Sequence, residues 1–401
     1  MELKPGYKQT EVGVIPEDWD VKPLSKLPCE AIDCHHSTPI WKESGEIVIR
    51  NQNIRDGRLN LTVASYTDEQ AYQERIRRAV PSHPDLVITR EAPMGEVCMI
   101  PAGLKCCLGQ RMVLLRIQSD NVDASYVLHA LQAQSSRRFI GAVGGTGSTV
   151  GNIRIPILKS LPVAVPAQSE QRKISAALGD INELIIHLER LIIKKHNIKQ
   201  AAMQELLTGK RRLPGFEGEW GVKTIEASAD CFDSVRVPLN ETQRGQMSGD
   251  YPYCGANGVL DFVSDFVIDD DIILMAEDGG YFDEYKTRPI AYRMKGRCWV
   301  NNHAHILKAK PGVDQGFLFY SLVHKNILPF LASGTRAKLN KSEMNKIAVR
   351  LPCDEVEQVA IAAALSEMDS ELASLEARKD KTEQLKQGMM QQLLTGKIRL
   401  R

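Results

Sequence analysis

The sequence predicts an α+β fold used twice, a pseudo-two-fold repeat in which each of two strand-rich modules leads into a long helix. The first observation behind this is a phrase that recurs: Leu206-Leu207-Thr208-Gly209-Lys210 returns 187 residues later as Leu393-Leu394-Thr395-Gly396-Lys397. At that offset Glu170-Gln171 matches Glu357-Gln358, Ala176-Ala177-Leu178 matches Ala363-Ala364-Leu365, and Arg212-Leu213 matches Arg399-Leu400. Roughly 20 of 44 positions agree, far above chance for unrelated helices. The second observation is that the blocks before these stretches, about 20–160 and 220–350, share only a coarse plan. The third is the apolar spacing inside the repeats.

Residues 1–165 form the first module. Glu46–Ile49, Asp85–Thr89 and Met112–Ile117 are short apolar runs set off by turn glycines at Gly57 and Gly95, the pattern of strands, with a helical segment near 123–140. Residues 166–212 are a helix. Ile174, Leu178, Ile181, Ile185, Leu188 and Ile192 recur in steps of four and three, the seam of a coiled coil, and Leu184, Leu191 and Ile198 add a second apolar row. Residues 213–352 form the second module, with strands at Phe262-Val263, Ile272–Met275 and His305–Leu307 and a helical segment near 314–331. Residues 353–401 are the second helix, seamed by Ile361, Leu365, Met368, Leu372 and Leu375 before the register weakens through Lys379, Thr382 and Lys386. Gly209 and Gly396 stand where a left-handed residue ends a helix, with basic residues beyond at its negative pole. A helix of about 40 residues is about 60 Å long, which suits an ordinary structural or dimerisation coiled coil and is also enough to hold two modules more than one DNA turn apart.

Composition narrows the class. Of the 401 residues 43% are hydrophobic, room for two or three domains. No apolar run reaches bilayer length and the Met1–Pro5 start lacks the core of a signal peptide, so a cytoplasmic location is expected. The nine cysteines form no CxxC pair, and no disulfides are expected. A net charge of +1 excludes strong binding of nucleic acid by the whole surface and leaves local basic clusters, such as Arg75-Ile76-Arg77-Arg78.

Further motifs sharpen this. Gly13-Val14-Ile15-Pro16-Glu17-Asp18-Trp19 is echoed by Leu213-Pro214-Gly215-Phe216-Glu217-Gly218-Glu219-Trp220. Pro166–Gln171 and Pro352–Gln358 each open a long helix. Tyr253–Gly258, Ala276–Gly280 and Trp299–His305 follow in order. Together with the paired Leu-Leu-Thr-Gly-Lys endings, these resemble the specificity (S) subunit of type I restriction-modification systems over essentially the whole chain. The resemblance implies two target recognition domains, each gripping half of a split, asymmetric DNA site. It implies that the two long helices form an antiparallel coiled coil that docks two methyltransferase (M) subunits. S-adenosylmethionine, ATP and Mg2+ would belong to M and restriction (R) subunits, and this chain would choose the site without doing chemistry.

The residues agree with a non-catalytic chain. Gly209-Lys210 is no phosphate loop, and Gly144–Ser148 lacks the strand-to-helix setting and lysine of a nucleotide site. Asp270 or Asp278 with Glu284-Tyr285-Lys286 mimics a metal-dependent nuclease, which keeps a self-contained nuclease open as an alternative, as are a methylation-only S subunit and a scaffold without a DNA role. Cys29, Cys34, His35, His36, His303 and His305 lack metal-ligand spacing, so no metal is expected.

Base reading needs forked or amide side chains. In the first module the candidates are Arg50, Asn51, Asn53 and Arg55, then Arg90, Arg111, Ser148, Thr149 and Asn152. In the second they are Asn257, Tyr281, Asn301, Asn302, His303, Thr335, Arg336 and Lys338. Arg336 and Lys338 suit phosphate contacts, and Arg50 and Asn53 suit reading one half-site.

Overall fold

A computed structural model describes residues 3, 5–119, 121–144, 151–332 and 337–400. The chain packs as two compact units, Met1–Leu188 with Arg378–Arg401, and Glu189–Ala377. In the first unit, β1 (Tyr7–Thr10) and β2 (Gly13–Pro16) form a hairpin and β3 (Asp20–Pro23) follows. Then come β4 (Cys29–Asp33), β5 (Glu46–Ile49), the β6 (Ile54–Arg55) and β7 (Arg58–Leu59) hairpin, β8 (Ser65–Thr67), α1 (Glu69–Arg75), β9 (Leu86–Thr89), β10 (Val97–Met99), β11 (Cys106–Leu108) and β12 (Met112–Ile117). Helices α2 (Ala124–Gln132), α3 (Gln134–Gly144) and α4 (Ile155–Ser160) lead to β13 (Pro162–Val165) and the long α5 (Gln168–Leu206). The second half carries β14 (Trp220–Thr224), α6 (Ile225–Ser228), β15 (Ala229–Cys231), α7 (Glu241–Gln246), β16 (Ser248–Gly255), β17 (Gly258–Val263), β18 (Ile268–Ala276), β19 (Ala291–Val300) and β20 (Ala304–Ala309). It ends with α8 (Gln315–Val323), α9 (Lys341–Met344), β21 (Ala348–Pro352) and the long α10 (Glu355–Leu393).

Strand order shows one fold used twice. The first unit's main sheet runs β10-β9-β12-β4 and the second contains β19-β18-β20-β15, antiparallel throughout in both. The remaining strands correspond too. β5 pairs in parallel with β11 and antiparallel with β8, just as β16 pairs in parallel with the end of β19 and antiparallel with β17. The difference is one of continuity: the second unit keeps as a single ten-residue strand what the first breaks at Pro101-Ala102-Gly103 into β10 and β11.

Both sheets are covered on both faces, which is why their central strands read as unbroken apolar runs. Leu86, Ile88, Val113 and Leu115 face one core with α2, while the alternate residues Val87, Met112 and Leu114 face another with Ile49 and Cys98. Likewise Ile273, Met275 and Leu307 face α8, while Ile272, Leu274 and Ile306 face the opposite side. Each α8- or α2-facing core is closed by the first turns of one long helix and the last turns of the other. In the first unit these are Ile174 and Leu178 with Leu393 and Leu394; in the second, Ile361 and Leu365 with Met203 and Leu206. The helices therefore pair antiparallel within each unit, and Lys195–Glu371 (2.6 Å) and Lys199–Asp369 continue that sense in the second. Of the predicted seam, Ile174, Leu178, Ile181, Ile185, Leu188, Ile361, Leu365 and Leu372 are buried, and Met368 and Leu375 are partly so. Of the second apolar row, Leu184 and Ile198 are exposed and Leu191 is half-buried, so the buried stripe is little wider than the seam.

The repeated motifs meet in a clasp. In the first unit Arg399 grips the buried Glu170 carboxylate with Nε and Nη2 (2.7 and 2.8 Å) and Asp18 at 2.8 Å, while the buried Trp19 indole N–H donates to Glu170 at 3.1 Å. Burial opposes the charge on Glu170, yet Arg399 and Trp19 hold its carboxyl below the usual range. In the second unit Arg212 grips Glu357, which is fully buried, through two hydrogen bonds of 2.5 Å, with Trp220 beneath the guanidinium. Gln171 and Gln358 brace the same corners. Each accepts the N–H of the residue capping the module's helix, Asp123 at 3.0 Å and Asp314 at 2.8 Å, and donates to Pro166 or Pro352. Gly209 and Gly396 have positive φ, and a side chain at Gly396 would collide with Pro16 at 2.4 Å. The predicted stop is thus also a close packing contact.

Removing either arginine leaves a buried carboxylate without its cation, a loss of about 3 kcal/mol or more for a well-formed pair. Arg399→Ala and Arg212→Ala should each lower the thermal unfolding midpoint by several degrees, with Arg212→Lys intermediate. A calorimetric scan that matches wild type would remove the clasp from the stability account.

Candidate nucleic-acid interface

The candidate residues are scattered in sequence, but backbone hydrogen bonds gather them into four loops in each unit. In the first, Gly109 N–H donates to Ile49 (2.8 Å), Arg90 to Arg111 (2.9 Å) and Ile153 to Arg90 (2.9 Å). In the second, Asn301 donates to Cys254 (3.0 Å), Glu277 to His303 (2.9 Å) and Leu339 to Glu277 (2.7 Å). These are the same three bonds at equivalent places: after β5 or β16, after β9 or β18, between β11 and β12 or β19 and β20, and ahead of α4 or α9. A fourth is carried by side chains, since Asn51 donates to Ala92 (2.8 Å) and Asn257 to Gly279 (2.9 Å). Asn51 and Asn257 therefore brace the interface at corresponding points.

On this frame several predicted readers face solvent. Arg111 is exposed and paired through Nε with Glu91 at 2.8 Å; His303 pairs through Nδ1 with Asp278. Asn302 and Asn152 are exposed, and Lys338 is exposed with its ammonium 2.8 Å from Glu277. Arg50 is half-buried with its guanidinium 4.8 Å from the centre of the Trp41 ring. Tyr281 is half-buried beneath Arg288, and Arg55 projects from the β6–β7 hairpin. Trp41 and Ile40, both exposed, were not anticipated; an aromatic and an aliphatic residue side by side in a loop that no core covers was the available signal.

Three candidates are corrected. Asn53 is buried, accepting the Arg50 N–H (2.9 Å) and donating to Asn60 and Val63, so it shapes its loop and offers no edge to a base. Asn301 is buried and accepts the His303 N–H at 2.8 Å. Arg90 turns inward, donating to Ile153 (3.0 Å) and pairing with Asp33 (3.2 Å). Asparagine marks both turns and readers, and spacing cannot separate the two roles. Ser148, Thr149, Thr335 and Arg336 lie outside the described residues.

The acidic features have other employment. Asp269 and Asp271 pair with Arg297 (3.0 Å) and Arg293 (2.5 Å), and Asp270 with Lys308, so the run forms cross-strand pairs on β18. Asp33-Cys34-His36 and Cys231-Asp233-His305 each bring three possible ligand atoms within 4.8 Å of one another. Each already contains a guanidinium, Arg90 on Asp33 and Arg236 at 3.3 Å from Asp233, where a cation would sit.

That second cluster supports the interface from below. Arg236 spans Asp233, Glu277 (2.5 Å) and the Ala304 carbonyl (3.1 Å), while His305 sits between Asp233 (2.7 Å) and the Leu339 carbonyl (2.8 Å). Burial works against the charge on His305, but Asp233, Cys231 and Leu339 raise its pKa to about 9. A raised histidine stabilises the fold fully below its unfolded pKa near 6.5, and the contribution disappears as pH rises through about 9. Denaturant midpoints should fall between pH 7 and 10, and His305→Asn should flatten that slope; an unchanged slope would show the imidazolium to be idle.

The type I restriction modification DNA specificity domain family matches residues 38–196 and again 219–387. A Haemophilus influenzae protein named as a type I restriction enzyme specificity subunit is 34% identical over 164 residues, 40% of this chain and 41% of that protein. The MjaX specificity subunit of Methanocaldococcus jannaschii is 25% identical over 98% of this chain and 97% of its own length. The crystal structure of a type I S subunit from M. genitalium shares the fold, with a TM-score of 0.65 over 98% of both chains at 16% identity. With both halves matched, the chain belongs to the family of type I restriction-modification DNA specificity proteins.

Proposed function

We propose that this chain is the sequence-reading subunit of a type I restriction-modification complex, each unit recognising one half of a split, asymmetric site in double-stranded DNA. The observation that carries this is the doubled interface: four loops joined by equivalent hydrogen bonds in both units, bearing different side chains. A frame kept constant while its outward residues change suits two readers with different targets. In this reading the chain is non-catalytic. Adenine-N6 methylation from S-adenosylmethionine resides in two M subunits, and ATP- and Mg2+-dependent cleavage in R subunits.

The repeat also supports two copies of one partner. Ile198 and Leu385 occupy equivalent positions, 187 residues apart, on the long helices, and both are exposed. An apolar side chain presented at the same place on two repeated helices suits two identical docking partners. The net charge of +1 assigns much of the DNA affinity to those partners. Among the described residues no helix is long and apolar enough to cross a membrane, and a DNA-reading role calls for a cytoplasmic location.

The test is single-molecule sequencing of adenine methylation in cells expressing the chain with its neighbouring methyltransferase subunit, against cells lacking the chain. A split motif that appears only with the chain is expected; its absence, with both proteins folded, would overturn the reading. In the same assay Arg50→Ala should relax one half of the motif and spare the other. Ile198→Asp with Leu385→Asp should abolish methylation by impairing assembly, seen as loss of co-purification; a complex that co-purifies intact would place docking elsewhere.

A further inference from the structure

The four-loop frame places a carboxylate beside a nitrogen-bearing side chain at the same point of both units. Arg111 and His303 each carry the carbonyl that accepts the N–H of the residue following β9 or β18, and so stand at equivalent positions. Their partners Glu91 and Asp278 are each the next residue along, again equivalent. The braces around them, Asn51 and Asn257, are identical in kind, whereas this pair keeps its place but changes chemistry, Glu–Arg in one unit and Asp–His in the other. A pair that meets different targets would change in this way.

Resting on the DNA-reading proposal above, we infer that Arg111, braced by Glu91, and His303, braced by Asp278, are the corresponding base-reading side chains of the two units, and that Arg111 recognises a guanine. Glu91 takes the Nε side of the Arg111 guanidinium. Neither terminal nitrogen donates a hydrogen bond to another described residue. Two parallel N–H donors match the O6 and N7 acceptors that guanine shows in the major groove, and no other base offers that pair. The carboxylate, which Asn152 also approaches at 3.5 Å, holds the guanidinium near one place beforehand, which limits the side-chain freedom lost on binding. In the other unit Asp278 takes Nδ1 of His303 and leaves Nε2 without a partner among the described residues, so His303 presents one hydrogen-bonding atom where Arg111 presents two. The first unit should thus discriminate more sharply at this position.

The salt-bridge alternative is a surface pair of little consequence. It predicts no change in sequence preference.

The experiment uses the full chain assembled with its methyltransferase partner, scored by methylation of a library randomised across the wild-type site. Arg111→Ala should let one G·C position in one half-site accept other pairs, with discrimination there falling roughly tenfold or more. Arg111→Lys should fall in between, and the isosteric Glu91→Gln should shift the same position less. His303→Ala should alter one position in the other half-site only. Thermal melts and co-purification confirm folding, and Arg111→Lys covers the case in which Arg111→Ala does not fold. An unchanged motif, or uniformly reduced methylation at every sequence, would overturn this inference while leaving the two-reader proposal standing. A wild-type complex without sequence preference would overturn both.

Discussion

Everything in this chain is held to a buried carboxylate at the start of each long helix. Glu170 and Glu357 are nearly or fully enclosed, and each is gripped by an arginine just beyond the end of the other helix. An unpaired charge in such a place is costly, so the arginine, the helix end that delivers it and the tryptophan packed against it must arrive together. One interaction thereby ties four repeated motifs: the tryptophan just before β3 or at the start of β14, the Glu-Gln opening, the Leu-Leu-Thr-Gly-Lys ending and the Arg-Leu beyond it. The two clasps are not equal. Arg399 also holds Asp18 and Trp19 donates to Glu170, while the Trp220 indole N–H is buried with no acceptor among the described residues.

From each clasp the physics passes outward through the core to the loops. The clasp seats the helix ends, Leu393 and Leu394 or Met203 and Leu206, on the helix-covered face of a sheet. The sheet fixes four loops at its rim by three backbone hydrogen bonds and one asparagine. Because those bonds involve main-chain atoms, they survive replacement of the side chains around them. That separation lets one fold carry two interfaces whose outward residues, Arg50, Arg111 and Trp41 in one and Asn302, His303 and Lys338 in the other, have little in common. The second unit carries a largely buried cluster of Asp233, Arg236, Glu277 and His305 under its loops, where the first has Asp33 between Arg90 and His36.

The sequence by itself determined the architecture at the level of segments. Helical periodicity placed α5 and α10, since a seam of apolar residues in steps of four and three leaves few alternatives over 39 residues. Short β-rich runs placed β5, β9 and β12 because strands buried on both faces must be continuously apolar. The repeat itself declared two halves. Tertiary structure alone decided the rest. Helix halves are shared between units because their ends close each other's cores, and no local pattern encodes which core a leucine enters. The equivalence of Ile49 with Cys254, or Arg111 with His303, resides in main-chain hydrogen bonds that leave no trace in side-chain identity. Composition could flag asparagine and arginine, but burial separated Asn53, Asn301 and Arg90, which hold the loops together, from Arg111 and Asn302, which face outward, because a side chain's role is set by what surrounds it after folding.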